Sequence, residues 1–193
     1  MRKLPHRKWP ERVISRRCAV TLVSTHYKLL SIIPPGAAED YILELSARTE
    51  IAPFLNSRCG YGHVRSCVPG VAVYGESREN GGFTWLEDRI DLERDFYPYP
   101  SAHFKTILCL EILETLTHDP MYMMDEIHRV LRPGCSLVLT TRRYGCEPIR
   151  GLLENCGLEV TRIEAEEDWV YAVGRKIGPL RERYPGWLYP ERR

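Results

Sequence analysis

The sequence predicts an α/β domain: a mostly parallel central sheet, flanking helices, and an antiparallel strand closing its C-terminal end. Three observations predict it. Almost continuous apolar runs at residues 41–45, 106–110 and 136–141 have the pattern of strands buried on both faces. Between the last two lies a helix-period stripe of Met124, Ile127 and Leu131. The connections on either side of that stripe are short, so residues 106–141 read as one strand–helix–strand crossover between parallel strands.

In chain order, Ile14, Cys18, Leu22, Val23, Tyr27 and Leu30 recur at helical spacing over residues 13–30. Ile32-Ile33-Pro34-Pro35-Gly36 ends that helix, because proline cannot extend the hydrogen-bond ladder. Residues 41–45 form the first strand. Ile51 to Leu55 opens a short helix with Pro53 confined to its first turn, and Gly60-Tyr61-Gly62 turns the chain. Residues 64–68 and 71–74 are strand candidates. Residues 76–82 are polar and glycine-rich and read as a loop or hairpin tip. Residues 83–92 hold a strand ending near Asp91. After the strand at 106–110, Asp119-Pro120 opens a helix, since aspartate accepts from exposed amides and proline needs no donor there. Asp125, Glu126, His128 and Arg129 take the face opposite its apolar stripe, and Arg132-Pro133-Gly134 stops it. The strand at 136–141 follows, then a helix at 148–156 ending at Gly157, then a hairpin of 158–165 with 169–175.

Composition narrows the function. The 193 residues suffice for one domain with a real core. With 27 basic and 26 acidic residues the net charge is +1, which excludes a global polycation built for nucleic acid. No apolar stretch approaches the length of a membrane span, and a cytoplasmic protein is expected. The seven cysteines contain no CxxC pair, so no metal site is expected, and Cys109 reads as a small buried hydrophobe. The N-terminal arm carries Arg2, Lys3, Arg7, Lys8, Arg12, Arg16 and Arg17 against a single Glu11 and reads as a solvated terminus.

Several runs resemble the class I S-adenosylmethionine-dependent methyltransferases, in their type 11 branch. They are Asp91-Leu92-Glu93-Arg94-Asp95, Ile107-Leu108-Cys109-Leu110-Glu111-Ile112-Leu113-Glu114, and Glu126-Ile127-His128-Arg129-Val130-Leu131-Arg132-Pro133-Gly134 before Leu137-Val138-Leu139-Thr140-Thr141. The resemblance covers roughly residues 27–189. It implies a Rossmann-like methyltransferase fold, with a basic arm and helix at 1–30, the methyltransferase-like domain at 31–176 and a tail at 177–193. It also implies S-adenosylmethionine as cofactor, a small-molecule or glycan-linked acceptor, and neither a membrane nor a nucleic-acid partner. Methyl transfer is an in-line displacement, so the protein mainly supplies position and a dry site.

The resemblance assigns cofactor contacts to Glu44, Ser46 and Ala47 after the first strand, to Asp91 and Leu92, and to Leu110 and Glu111. Glu111 and Glu114 follow the strand at 106–110, where parallel sheets place their ligands, and either carboxylate raised by burial would serve as a base; Glu114 is the candidate catalytic residue. His118 and His128 read as turn and helix-surface residues, Arg142 and Arg143 as an exposed basic pair, and Tyr144 as a candidate cover for the acceptor. Departures cluster at the turns. Ser46-Ala47-Arg48-Thr49-Glu50 stands where a glycine-rich turn is expected. Ser66-Cys67-Val68-Pro69 stands where the ribose carboxylate is expected, with Glu76 as substitute if its loop folds back. Lys105 replaces an acidic residue, Thr115 a histidine, and Cys135 a glycine. These losses open a second reading: a non-catalytic methyltransferase-like binding or interaction module that has lost its cofactor.

Overall fold

A computed structural model of the chain describes residues 24–47, 51–80 and 82–178. The basic arm, Arg48 and Glu50, and most of the C-terminal tail lie outside the described residues. The elements are α1 (Ser24–Ile32), β1 (Tyr41–Ser46), α2 (Ala52–Cys59), β2 (His63–Pro69), β3 (Val73–Asn80), β4 (Phe83–Ile90), β5 (Phe104–Leu110), α3 (Met121–Val130), β6 (Leu131–Thr141), α4 (Cys146–Asn155), β7 (Leu158–Glu166) and β8 (Trp169–Lys176). They form one eight-stranded sheet in the order β3-β4-β2-β1-β5-β6-β8-β7.

Strand β1 pairs in parallel with β2 on one side and β5 on the other. β2 pairs with β4, and β5 with β6, also in parallel. β8 runs antiparallel to both β6 and β7. The alternation of side chains splits the core into two layers. Ile42, Leu108 and Leu110 join α1 and α2, through Leu29, Ile32, Ala52 and Leu55, on one face. Leu43, Leu45, Ile107 and Cys109 join α3 and α4, through Met123, Ile127, Leu152 and Leu153, on the other. Burial pushes the Cys59 thiol up to about 11 and raises those of Cys67 and Cys109 further, so these cysteines pack as neutral hydrophobes.

The turn from α2 into β2 depends on two glycines. Gly60 caps α2 in the left-handed region at φ 83°, and its N–H donates to Asn56 O at 3.0 Å. A Cβ on Gly62 would sit 1.7 Å from the Ala38 carbonyl oxygen, so only glycine fits.

The structure corrects three sequence expectations. Residues 76–80 are not loop: with Val73 to Gly75 they form β3, an edge strand antiparallel to β4. Its polar sequence concealed it, because Arg78 pairs with Glu76 and with Glu87 of β4 and so holds the strand without an apolar face. Glu126 and His128 are buried, not on a solvated face. Arg132-Pro133-Gly134 does not stop α3, which ends at Val130; those residues open β6, with an irregular register against β5. α2, Ala52–Cys59, is the short helix expected to open at Ile51 to Leu55, with Pro53 in its first turn.

Ile127 is fully buried on α3 between the sheet and the helix. Ile127→Ala is expected to destabilise the fold by about 2–5 kcal/mol. Chemical denaturation measures this, and an unchanged midpoint contradicts the packing described.

Candidate functional site

The carboxyl ends of β1, β2, β4, β5 and β6 meet at one rim, where open parallel sheets place their ligands. A cleft of about 460 Å³ opens there. Residues 69–72 after β2 form one wall, Asp91, Leu92, Glu93 and Asp95 after β4 the second, and Thr115 and Leu116 after β5 the third. That volume lies in the range of small-molecule sites.

The local sequence after β4 builds its own turn. Asp91 Oδ1 accepts the Glu93 N–H at 3.0 Å, and the Asp91 carbonyl accepts the N–H groups of Arg94 and Asp95. Asp95 Oδ2 in turn accepts the Asp91 N–H at 2.8 Å. Each of the two carboxylates thereby spends one oxygen on the turn. Among the described residues no hydrogen bond reaches Asp91 Oδ2 or Asp95 Oδ1, and both residues line the cleft.

Glu93 joins two walls. Its carboxylate accepts from Thr117 N at 3.0 Å, from Thr117 Oγ1 at 2.8 Å and from the His118 N–H. Burial pushes the Glu93 carboxyl up, but the donors of His118 and Thr117 outweigh it and hold it below the usual carboxylate range.

The other candidates lie along the same rim but do not line this cleft. Glu44 is fully buried in β1 and accepts from Ser46 Oγ at 3.3 Å. Ser46 and Leu110 are paired across β1 and β5 and buried, whereas Ala47 is exposed. Glu111 takes the left-handed conformation, φ 54°, and its carboxylate accepts from Arg142 Nη2 at 2.8 Å. The Arg142 guanidinium also lies over the Trp169 ring, 4.5 Å from its centre. Glu114 Oε1 accepts from Thr141 Oγ1 at 2.9 Å and from the Arg142 N–H, which ties the loop after β5 to the end of β6. Glu76, named as a ribose substitute, sits in β3 beside Arg78 and not in the cleft.

Asp91 and Leu92 are therefore the sequence candidates that reach the cleft. Sequence reasoning passed over Glu93 and Asp95. The alternation of acids at Asp91, Glu93 and Asp95 directly after a strand was the signal available. Among the described residues no group of three or more His, Cys, Asp or Glu is placed to hold a metal ion, and no helix is long and apolar enough to cross a membrane.

Residues 78–139 match the family model described as "Methyltransferase domain". No curated protein sequence matches the chain. Among solved structures, it is similar to a complex between the Haloferax volcanii Trm112 methyltransferase activator and a methyltransferase, at 14% identity and TM-score 0.64, covering 80% of this chain and 89% of that one. A SAM-dependent methyltransferase from Aquifex aeolicus gives 14% identity and TM-score 0.57, with 78% and 89% covered. The geranyl diphosphate C-methyltransferase of Streptomyces coelicolor, in complex with Mg2+, geranyl diphosphate and S-adenosyl-L-homocysteine, gives 10% and 0.55, with 78% and 76% covered. At these identities the likeness establishes the fold.

The Glu93 bracket makes cleft stability depend on pH in a defined direction. A depressed carboxylate stabilises above its unfolded pKa and loses that contribution as pH falls through the folded value. The melting-temperature advantage of the wild type over Glu93→Gln is expected to be full at about pH 7 and to vanish in acid. An advantage that persists unchanged into acid contradicts the bracket.

Proposed function

With the fold of the class I S-adenosylmethionine-dependent methyltransferases as premise, we propose that the chain binds S-adenosylmethionine at this rim and methylates a small-molecule or glycan-linked acceptor. The observation that carries the reading is the cleft at the ends of β2, β4 and β5, lined by Asp91 and Asp95, each with one carboxylate oxygen that no hydrogen bond reaches among the described residues. When bound, S-adenosylmethionine supplies a sulfonium methyl group that is itself the electrophile.

The residues of the cleft fit the adenosine half of that group. Asp91 accepts from the adenine amine, and Asp95 offers a second acceptor for a ribose hydroxyl in place of the carboxylate missing after β2. Val71, Leu92 and Leu116 give the apolar lining a planar base needs. The acids at Asp91, Glu93 and Asp95 give the wall a negative charge that complements a cationic ligand.

Farther along the rim, the buried Glu44 and Ser46 end β1, and Glu111 and Glu114 follow β5. The bonds from Thr141 and Arg142 both end on Glu114 Oε1 and orient the end of β6, whereas its buried Oε2 accepts no hydrogen bond among the described residues and is the oxygen left to take a proton. A small organic acceptor agrees with the geranyl diphosphate enzyme among the structural neighbours.

The second reading, a binding module without cofactor, is favoured by one observation. The wall after β2 is Pro69-Gly70-Val71-Ala72, with no carboxylate of its own. Titration calorimetry separates the two. The cofactor reading expects saturable binding of S-adenosylhomocysteine, weakened about tenfold or more by Asp91→Ala with folding intact. Silence of the wild type at about millimolar ligand supports the module and overturns the transferase.

A further inference from the structure

One wall of the cleft comes from residues 91–103, a segment with neither helix nor strand between β4 and β5. Such a segment takes its shape from what binds it from outside. Here the binder is α3. Glu126 and Arg129, one turn apart on that helix, pair at 2.7 Å. Glu126 accepts the Tyr97 N–H at 2.8 Å. Arg129 donates to the carbonyl oxygens of Tyr97 at 2.9 Å and Tyr99 at 2.8 Å. Its guanidinium lies over Phe96, 4.0 Å from the ring centre. Apart from a 3.5 Å contact of Arg129 with the Ser101 hydroxyl, the pair's bonds beyond itself go to residues 96–99, directly after Asp95. A solvated ion pair has no need of backbone partners, and a lysine at position 129 lacks the planar fork that reaches two carbonyls and a carboxylate together.

We infer that Glu126 and Arg129 are positioning residues for ligand binding: they clamp residues 96–99 and thereby hold Asp91 and Asp95 at the height of the strand ends. This rests on the cofactor reading above. The clamp touches no ligand; it acts through the segment that does. The far end of the segment has its own anchor, the Tyr99 hydroxyl donating to buried Asp88 at 2.7 Å, so loss of the clamp loosens the segment without releasing it.

The test is calorimetry with S-adenosylhomocysteine on wild type, Arg129→Lys, Arg129→Gln and Ile127→Ala, at a temperature where all are folded, with amide exchange over residues 93–101. Glu126→Gln, which keeps an acceptor for Tyr97 N–H and discards the ion pair, is the milder variant should an Arg129 variant not fold. The clamp variants are expected to weaken binding about tenfold and to speed exchange of the 93–101 amides, with lysine failing to rescue. Ile127→Ala, which unsettles the same helix from its core face, is expected to leave the dissociation constant within about twofold. Wild-type binding with unchanged affinity in the clamp variants overturns the clamp and leaves the cofactor reading standing. Equal weakening by Ile127→Ala, or full rescue by lysine, also overturns it. Silence of the wild type overturns both.

Discussion

The constraint on which the structure depends is the burial of β1 between two parallel partners. Its register sets Leu45 opposite Cys67 of β2 and opposite Cys109 of β5, so three strands end level with one another. All five residues from Ile42 to Ser46 are buried, and side chains of alternate parity feed opposite core layers. A one-residue slip would exchange the layers and bring Glu44 to a different face, which is why the register is firmly specified. The rim follows from it: with the ends level, a ligand there meets the loops after β2, β4 and β5 together.

The opposite end of the sheet is locked by charge. Asp40, just before β1, pairs with Lys105 of β5 at 2.7 Å and with Arg132 of β6 at 3.5 Å. The bond from Lys105 is the largest influence on Asp40 and holds its carboxyl below the usual range. Lys105, a departure from the family pattern, therefore has a structural account: the carboxylate comes from the neighbouring strand's start. Tyr41 stacks on His63 at 4.2 Å in the same layer. Fixing the amino ends of the strands in this way leaves the loops at the carboxyl ends free to shape a site without cost to the sheet.

The legibility of each part in the sequence tracks how far its residues act locally. β1, β5 and β6 were readable because burial on both faces demands near-continuous apolar runs, and α3 because Met124 and Ile127 repeat at the helical period. β3 was not readable. Its residues satisfy one another across the strand pair, Arg78 with Glu87 and Gly75 N–H with Asp88, and this leaves no apolar alternation to detect. Glu126, His128 and Arg129 misled for a related reason. Charge on a helix face points to solvent, yet Glu126 and Arg129 reach the backbone of a segment some thirty positions upstream, and His128 meets the Gly178 carbonyl fifty positions downstream. Asp91 was found by resemblance. Glu93 and Asp95 passed unseen because Glu93 meets its partners only through Thr117 and His118, on another loop.

The charged groups of the cleft come from one stretch of chain. Here the acids on the cleft, Asp91, Glu93 and Asp95, all come from one segment after β4, and the wall after β2 contributes only Pro69, Gly70, Val71 and Ala72. Concentrating acceptors on irregular backbone raises the ordering entropy that a ligand must overcome, unless the protein has already paid it. Glu93 fastens the front of the segment to the loop after β5, α3 fastens its middle, and Asp88 fastens Tyr99 at its rear. With the Ala102 and His103 N–H groups also held by the Arg129 and Val130 carbonyls, these anchors amount to preorganisation by tertiary contact in place of secondary structure. The run Glu126 to Gly134 then serves three ends: Ile127, Val130 and Leu131 pack the core, Glu126 and Arg129 brace the segment after β4, and Arg132 meets Asp40 at the amino ends of the strands.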